Sequence, residues 1–252
     1  RCRQYIFISS ASAYAKPMPY PVLTESTALK NPYWRYSREK AACEDVLMRA
    51  WREDNFPVTI VRPSHTYCER SVPVAMHGRC GSFAVIERIR TGRKVIIPGD
   101  GTTWWTTTHS RDFARGFAGL MGNPHAIGEA VHITSDESLT WNQIYQCIAS
   151  ALGVELHAVH IASETLATLC DDYVGALLGD KSNSVLFDNA KLKRLVPGFT
   201  ATIRYDQGVR EALDYIYAHP ELQKPDPEFD AWCDEVIERY ENAVAQLPKM
   251  AR

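Results

Sequence analysis

The 252-residue sequence has no excess of charge of either sign. Its 28 Lys and Arg stand against 30 Asp and Glu, a formal net charge of −2. No global basic field gathers nucleic acid, so an RNA or DNA partner is unlikely on composition. No apolar run approaches the roughly 20 residues that cross a bilayer. No signal-peptide pattern is visible, and there is no repeat and no low-complexity stretch. The seven cysteines are odd in number and scattered, at positions 2, 43, 68, 80, 147, 170 and 233. They lack a Cys-x-x-Cys spacing, which argues against a zinc site and fits a reducing cytoplasm. Cys43 and Cys147 fall in helical patterns and read as small core hydrophobes.

What is present is ordinary globular material, 45% hydrophobic and 23% charged, in a chain long enough to bury a real core. Tyr5 to Ile8 is a short β-rich run fit for a buried strand, and it ends in Ser9, Ser10 and Ser12. Small hydroxyl residues at the carboxyl end of a parallel strand sit where open α/β sheets bind ligands. They are also ordinary turn residues.

The stretch YWRYSREKAACED, Tyr33 to Asp45, opens a helix after Pro32. Cys43, Val46, Leu47, Ala50 and Trp51 fall at the spacing of its buried face. Tyr36 and Lys40, four apart, share another face. An ammonium beside a phenol favours the phenolate and brings its proton exchange toward neutral pH. By itself the pair also reads as two polar surface residues. Val58 to Val61 is a second β-branched run, stopped at Pro63. Strand, long loop, helix and strand in this order make a parallel βαβ crossover.

Further along, Gly81–Gly92 reads as a glycine-closed helix, KVIIPGDG as a strand into a turn, 111–121 as a helix, and 130–134 as a strand. Thr140 and Gln143 form a capping box for a helix ending at Gly153. Residues 154–161 read as a strand, 163–178 as one helix, and 229–244 as a final helix with Trp232, Val236, Ile237 and Tyr240 in a stripe. Docking of that helix on its own domain is favoured over a partner contact.

Strand–Ser-Ser-x-x-x-Tyr (Ser9 to Tyr14), then Tyr36-x-x-x-Lys40, then strand–Arg62-Pro63 resembles the extended short-chain dehydrogenase/reductase family, the group of NAD-dependent epimerases and dehydratases. The likeness runs on through PGDGTTWWTTTHSRDFARG, FDNAKLKRLVPGF and YDQGVREALDY, roughly residues 4 to 218. It implies an α/β fold, the C-terminal part of a Rossmann-like doubly wound parallel sheet, plus a small α/β substrate-binding lobe. Residues 1–134 are then a partial catalytic region with some lobe segments, 135–218 the lobe and its closing helices, and 219–252 a C-terminal helical extension.

The resemblance implies site residues as well. Ser10 matches the hydroxyl that holds the substrate oxygen, with Ser12 sharing that role. Tyr36 matches the acid/base and Lys40 the residue that tunes it and binds the nicotinamide ribose of NAD or NADP. Arg62, Pro63, Ser64 and His65 match the loop beside the nicotinamide. His65, Arg79, Trp104 and Trp105 are candidate substrate contacts, as is His109. The two tryptophans read equally as ring-stacking residues or as core. Sugar-nucleotide members carry an arginine seven residues before the match to Asp112, and here that position is Trp105. This departure argues against a UDP- or dTDP-sugar. Ser10-Ala11-Ser12 stands where sugar 4,6-dehydratases have Thr-Asp-Glu, which leaves an epimerase or a simple reductase acting on a small molecule.

The family's glycine-rich turn, which cradles a pyrophosphate at a helix N-terminus, is absent from the sequence. The chain is therefore expected to be the catalytic and substrate-binding part of a longer enzyme. A homodimer built through the Tyr36 helix is expected from the same resemblance. The competing readings are an RNA-binding protein on a retired enzyme scaffold, and an inactive fragment. The presence of Ser10, Tyr36 and Lys40 together weighs against the retired scaffold.

Overall fold

The computed structural model describes residues 2–18 and 20–248. Its strands are β1 (Tyr5–Ile8), β2 (Val22–Leu23), β3 (Val58–Pro63), β4 (His65–Tyr67), β5 (Val95–Pro98), β6 (Trp104–Trp105), β7 (Thr107–His109), β8 (Ala130–Ile133), β9 (Leu139–Thr140), β10 (Ala158–Ile161) and β11 (Leu186–Phe187). Its α-helices are α1 (Arg35–Asp54), α2 (Phe83–Arg90), α3 (Ser110–Leu120), α4 (Trp141–Leu152), α5 (Ser163–Leu169), α6 (Ala190–Leu195), α7 (Tyr205–Ala218) and α8 (Pro227–Ala245).

The expected βαβ unit is present. β1, α1 and β3 make a parallel crossover, with Tyr5 opposite Val58 and Ile8 opposite Val61. β8 joins the other side of β3, also parallel, giving the order β1-β3-β8. The central strand β3 is buried along Val58 to Arg62, which is why it reads as a continuous β-branched run to Val61 rather than an alternation. Its Thr59 is satisfied by donating to the Ala126 carbonyl at 2.7 Å. One face of this sheet closes over Val61, Leu120, Val131, Ile133, Leu192 and Phe199. The α/β fold is thus as the sequence implies.

α1 runs as expected and stops at Asn55 in a left-handed conformation (φ 55°), a cap that asparagine tolerates. The expected buried stripe holds only in part, since Leu47, Ala50 and Trp51 are half-buried. Cys43 is exposed and Val46 is 63% exposed, whereas Ser37 and Glu44 are buried. The inward face was chosen by polar partners, since Glu44 meets Arg62 on β3.

The larger core gathers α2, α4, α7 and α8 around the β5–β10 pair, with Ile86, Ile97, Trp141, Tyr145 and Val209 among its members. Both halves of the capping box at Thr140 and Gln143 are formed, and Gly153 closes α4 at φ 71°. α8 docks on its own lobe through Phe229, Cys233, Val236 and Ile237. Arg88 of α2 holds it by pairing with Asp230 and Asp234. The expected helix over 163–178 is two elements. α5 ends at Leu169, Cys170 is extended, and a π-helix follows over Val174–Lys181. Its Gly175 and Gly179 lie against Trp34, where a Cβ on Gly175 would come within 2.3 Å of the indole. Among the described residues no helix is long and apolar enough to cross a membrane.

Candidate active site

β1 and β3 both deliver their carboxyl ends to one cavity of about 290 Å³. Ser10, Ala11 and Ser12 enter its wall directly after β1, because Ser10 starts a short 3₁₀ turn by accepting from the Ser12 amide. Pro63, Ser64 and His65 enter it at the end of β3, and Tyr36 from the first turn of α1. Trp105 closes another side with Lys16, Asp180, Lys181, Val185 and Phe187. Parallel sheets bind ligands at this end of their strands.

The serines form a directed chain. Ser37, buried on α1, donates to Ser12 Oγ at 2.8 Å, and Ser12 lies 2.9 Å from Ser10 Oγ. Ser12 Oγ, which accepts from Ser37, has its own hydroxyl hydrogen available to donate to Ser10. Ser10 then keeps its hydroxyl proton for an oxygen in the cavity. Asn31 fixes the frame. Its amide nitrogen donates to the carbonyls of Ser12 and Gly179, and its Oδ1 accepts from the Tyr33 and Trp34 amides at the start of α1.

Lys40 sits one turn beyond Tyr36, its Nζ 5.7 Å from the Tyr36 ring centroid. It donates to the Ile8 carbonyl at 2.8 Å, at the open edge of β1. It stands beside the cavity rather than in its wall. His65 accepts from the Trp105 indole N–H at 3.1 Å. Burial, with Lys181 and His77 adding to it, pushes the His65 pKa down to about 3. The ring is neutral and carries its proton on Nε2.

The remaining candidates lie elsewhere. Arg62 is buried and committed to Glu44 at 2.6 Å, to Tyr14 Oη at 3.0 Å and to the Glu25 carbonyl. It props the loop instead of lining the cavity. Arg79 is exposed and outside the cavity wall. Trp104 is 44% exposed and also outside it, whereas Trp105 is buried and stacked on Trp141 at 5.2 Å. His109 caps α3 and packs edge-on against Tyr67. Sequence reasoning missed Lys16, Trp34, Asp180 and Lys181. Asp180 and Lys181 reach the site from far along the chain, on an element that periodicity read as ending before them. Lys16 gave one faint signal, a lysine inside the loop that follows the serines.

A family model, NAD dependent epimerase/dehydratase family, matches residues 1–134. The chain belongs to that family. It is 26% identical over 196 residues to 2'-dehydrokanamycin reductase of Streptomyces kanamyceticus, covering 77% of this chain and 54% of the relative. The chain therefore spans about half the length of that curated relative. Among solved structures, the epimerase Mth375 of Methanothermobacter thermautotrophicus superposes with a TM-score of 0.70 at 17% identity, over 88% of this chain and 61% of that one. UDP-glucuronic acid 4-epimerase of Bacillus cereus, solved with UDP-glucuronic acid and NAD, gives 0.67 at 19% identity, over 85% and 62%. These likenesses show that the fold is that of Rossmann-type epimerases and dehydratases.

Proposed function

We propose that the protein is an NAD- or NADP-dependent oxidoreductase or epimerase acting on a hydroxyl or carbonyl of a small, sugar-derived molecule. The observation that carries this reading is the convergence of Tyr36, Ser10 and Ser12 on one cavity at the carboxyl ends of β1 and β3, with Lys40 a turn away. The reductase and epimerase names of the relatives agree with it. The residues present fit the nicotinamide end of such a cofactor, since Tyr36, Pro63 and Ser64 wall the cavity where the strands end. Bound there, a nicotinamide supplies the hydride acceptor or donor.

The protein's own groups handle the proton. Tyr36 Oη takes it from the substrate hydroxyl in oxidation and returns it to the carbonyl oxygen in reduction. Lys40, one turn further along α1, holds its ammonium 5.7 Å from the Tyr36 ring centroid. Ser10, oriented by Ser12 and Ser37, donates a hydrogen bond to the same substrate oxygen. Trp105 and Trp34 add aromatic surface to the cavity wall.

The test is Tyr36→Phe in the full-length protein, with turnover followed by nicotinamide absorbance across a panel of sugars and their ketones. We expect kcat to fall by roughly 10²–10⁴-fold, the usual worth of a positioned acid/base, while dinucleotide affinity stays within about twofold. Persisting turnover removes Tyr36 from the mechanism.

A further inference from the structure

Five ionisable side chains line the cavity: Lys16, Tyr36, His65, Asp180 and Lys181. His65 is a neutral acceptor, and Tyr36 has its role in the proposed chemistry. That leaves two lysines against one aspartate. The Asp180 carboxylate lies 4.0 Å from Lys181 Nζ, so these two offset one another. Lys16 is the cation left over. It is only 5% exposed, and its Nζ finds no hydrogen-bond partner among the described residues. Its backbone is pinned by the hydrogen bond from its amide to the Lys30 carbonyl at 2.9 Å.

A buried, unpaired ammonium is strongly unfavourable. Burial accordingly pulls the Lys16 pKa below the ordinary lysine value, with Asp180 opposing that weakly. Such a group is tolerated where a ligand completes it, and the cavity beside it is the place from which a ligand reaches it. The cavity, about 290 Å³, stands at the lower end of the roughly 300–1,000 Å³ of small-molecule sites.

We propose that Lys16 is a substrate-binding residue that receives an anionic oxygen, of a carboxylate or a phosphate, on the molecule held against Tyr36. The substrate class is thus an acidic sugar rather than a neutral or amino sugar. This rests on the reading that the Tyr36 cavity is the reaction site, and it deepens that reading by naming what the ring must carry. Lys181, already offset by Asp180, adds a second and weaker positive field.

The test is calorimetric binding to the full-length protein, with and without NAD, of four probes on one ring: D-glucuronate, D-glucose 6-phosphate, D-glucose and D-glucosamine. We expect at least one anion to bind about tenfold to a hundredfold more tightly than glucose, the worth of one charge-assisted hydrogen bond. Glucosamine should bind more weakly than glucose. The ratio of glucuronate to glucose 6-phosphate separates carboxylate from phosphate as the source. Lys16→Met should erase the preference, so that in that variant the anions bind no more tightly than glucose, and Lys16→Arg should keep part of it. Lys16→Met should also raise the Tm of the ligand-free protein, because it removes an unpaired buried cation.

Glucose binding as tightly as both anions overturns the proposal. So does failure of both anions to bind, an anion preference that survives in Lys16→Met, or a lowered Tm in that variant. Repeating the titration in Tyr36→Phe keeps the two readings apart. Anion binding needs no turnover, so it is retained there even if the hydride-transfer chemistry is wrong.

Discussion

Arg62 shows how little a residue type says about its job until its burial is known. In sequence it stands beside Pro63 and falls within the nicotinamide loop of the resembled family. In the structure its guanidinium is turned toward α1 and locked between Glu44 and Tyr14. Glu44 and Arg62 side chains are 3% and 7% exposed, whereas the Arg35–Glu39 pair on the same helix is 85% and 60% exposed. The chemistry of the two pairs is the same and the surroundings decide their worth. Glu44→Ala strands a buried guanidinium and is expected to cost about 3–5 kcal/mol. Glu39→Ala should change stability by less than about 0.5 kcal/mol. Urea unfolding of the two variants side by side checks this, and equal midpoints would show that Arg62 is not held by Glu44.

Individual elements were legible where local chemistry alone makes them. The capping box at Thr140 and Gln143, the glycine stop at Gly153 and the apolar run of β3 all carry their signals within a few residues. The signal failed where a distant partner sets the shape. On α1 Cys43 and Val46 turned outward while Glu44 went inward to meet Arg62, and the helix after Ser163 broke where its second half is fitted to Trp34. The π-helix Val174–Lys181 brings Gly175 and Gly179 onto that indole, and Trp34 in turn walls the cavity. π-helical turns often accompany functional sites. Gly175→Ala places a methyl 2.3 Å from Trp34 Cδ1, so the element or the indole must move. The expected stability loss is about 1–3 kcal/mol, as for other overpacked contacts. The substrate KM should rise while dinucleotide affinity holds, since the displaced wall faces the substrate. A KM equal to wild type would place Trp34 outside the substrate site.

Over the whole molecule, the βαβ frame and half of the cavity wall could be read from the chain, because Ser10, Ser12, Tyr36 and His65 lie on or beside one crossover. The other half could not. Trp34 meets the π-helix, and Lys16 meets Asp180 and Lys181, only through tertiary packing. That packing also holds the pKa of three histidines below the ordinary value, the buried His109 and His132 and the half-buried His65, with burial the first cause for His109 and Arg111 the second, and this gives the folded state a dependence on pH. His65 and His132 are both pushed from the ordinary 6.5 to about 3, mainly by burial, with Lys181 acting second on His65 and Arg62 second on His132. A depressed histidine pKa means that the unfolded chain binds more protons than the folded one between about pH 3 and 6.5. Stability from these groups is therefore complete above about 6.5 and is lost as pH falls through that window. The slope is about 1.4 kcal/mol per histidine for each pH unit. Asp180, whose pKa burial raises, opposes them as one group against three. The depressed carboxyls of Asp226 and Asp234 begin to contribute only nearer the ordinary aspartate range. Urea midpoints followed from neutral pH to about pH 5 should thus fall steadily. His132→Gln, which cannot take up that proton, should flatten the slope by roughly a third to a half, since His65 and His109 remain. A wild-type midpoint that is constant across the window would mean that these rings titrate alike in the folded and unfolded chain, and that none is held neutral by the fold.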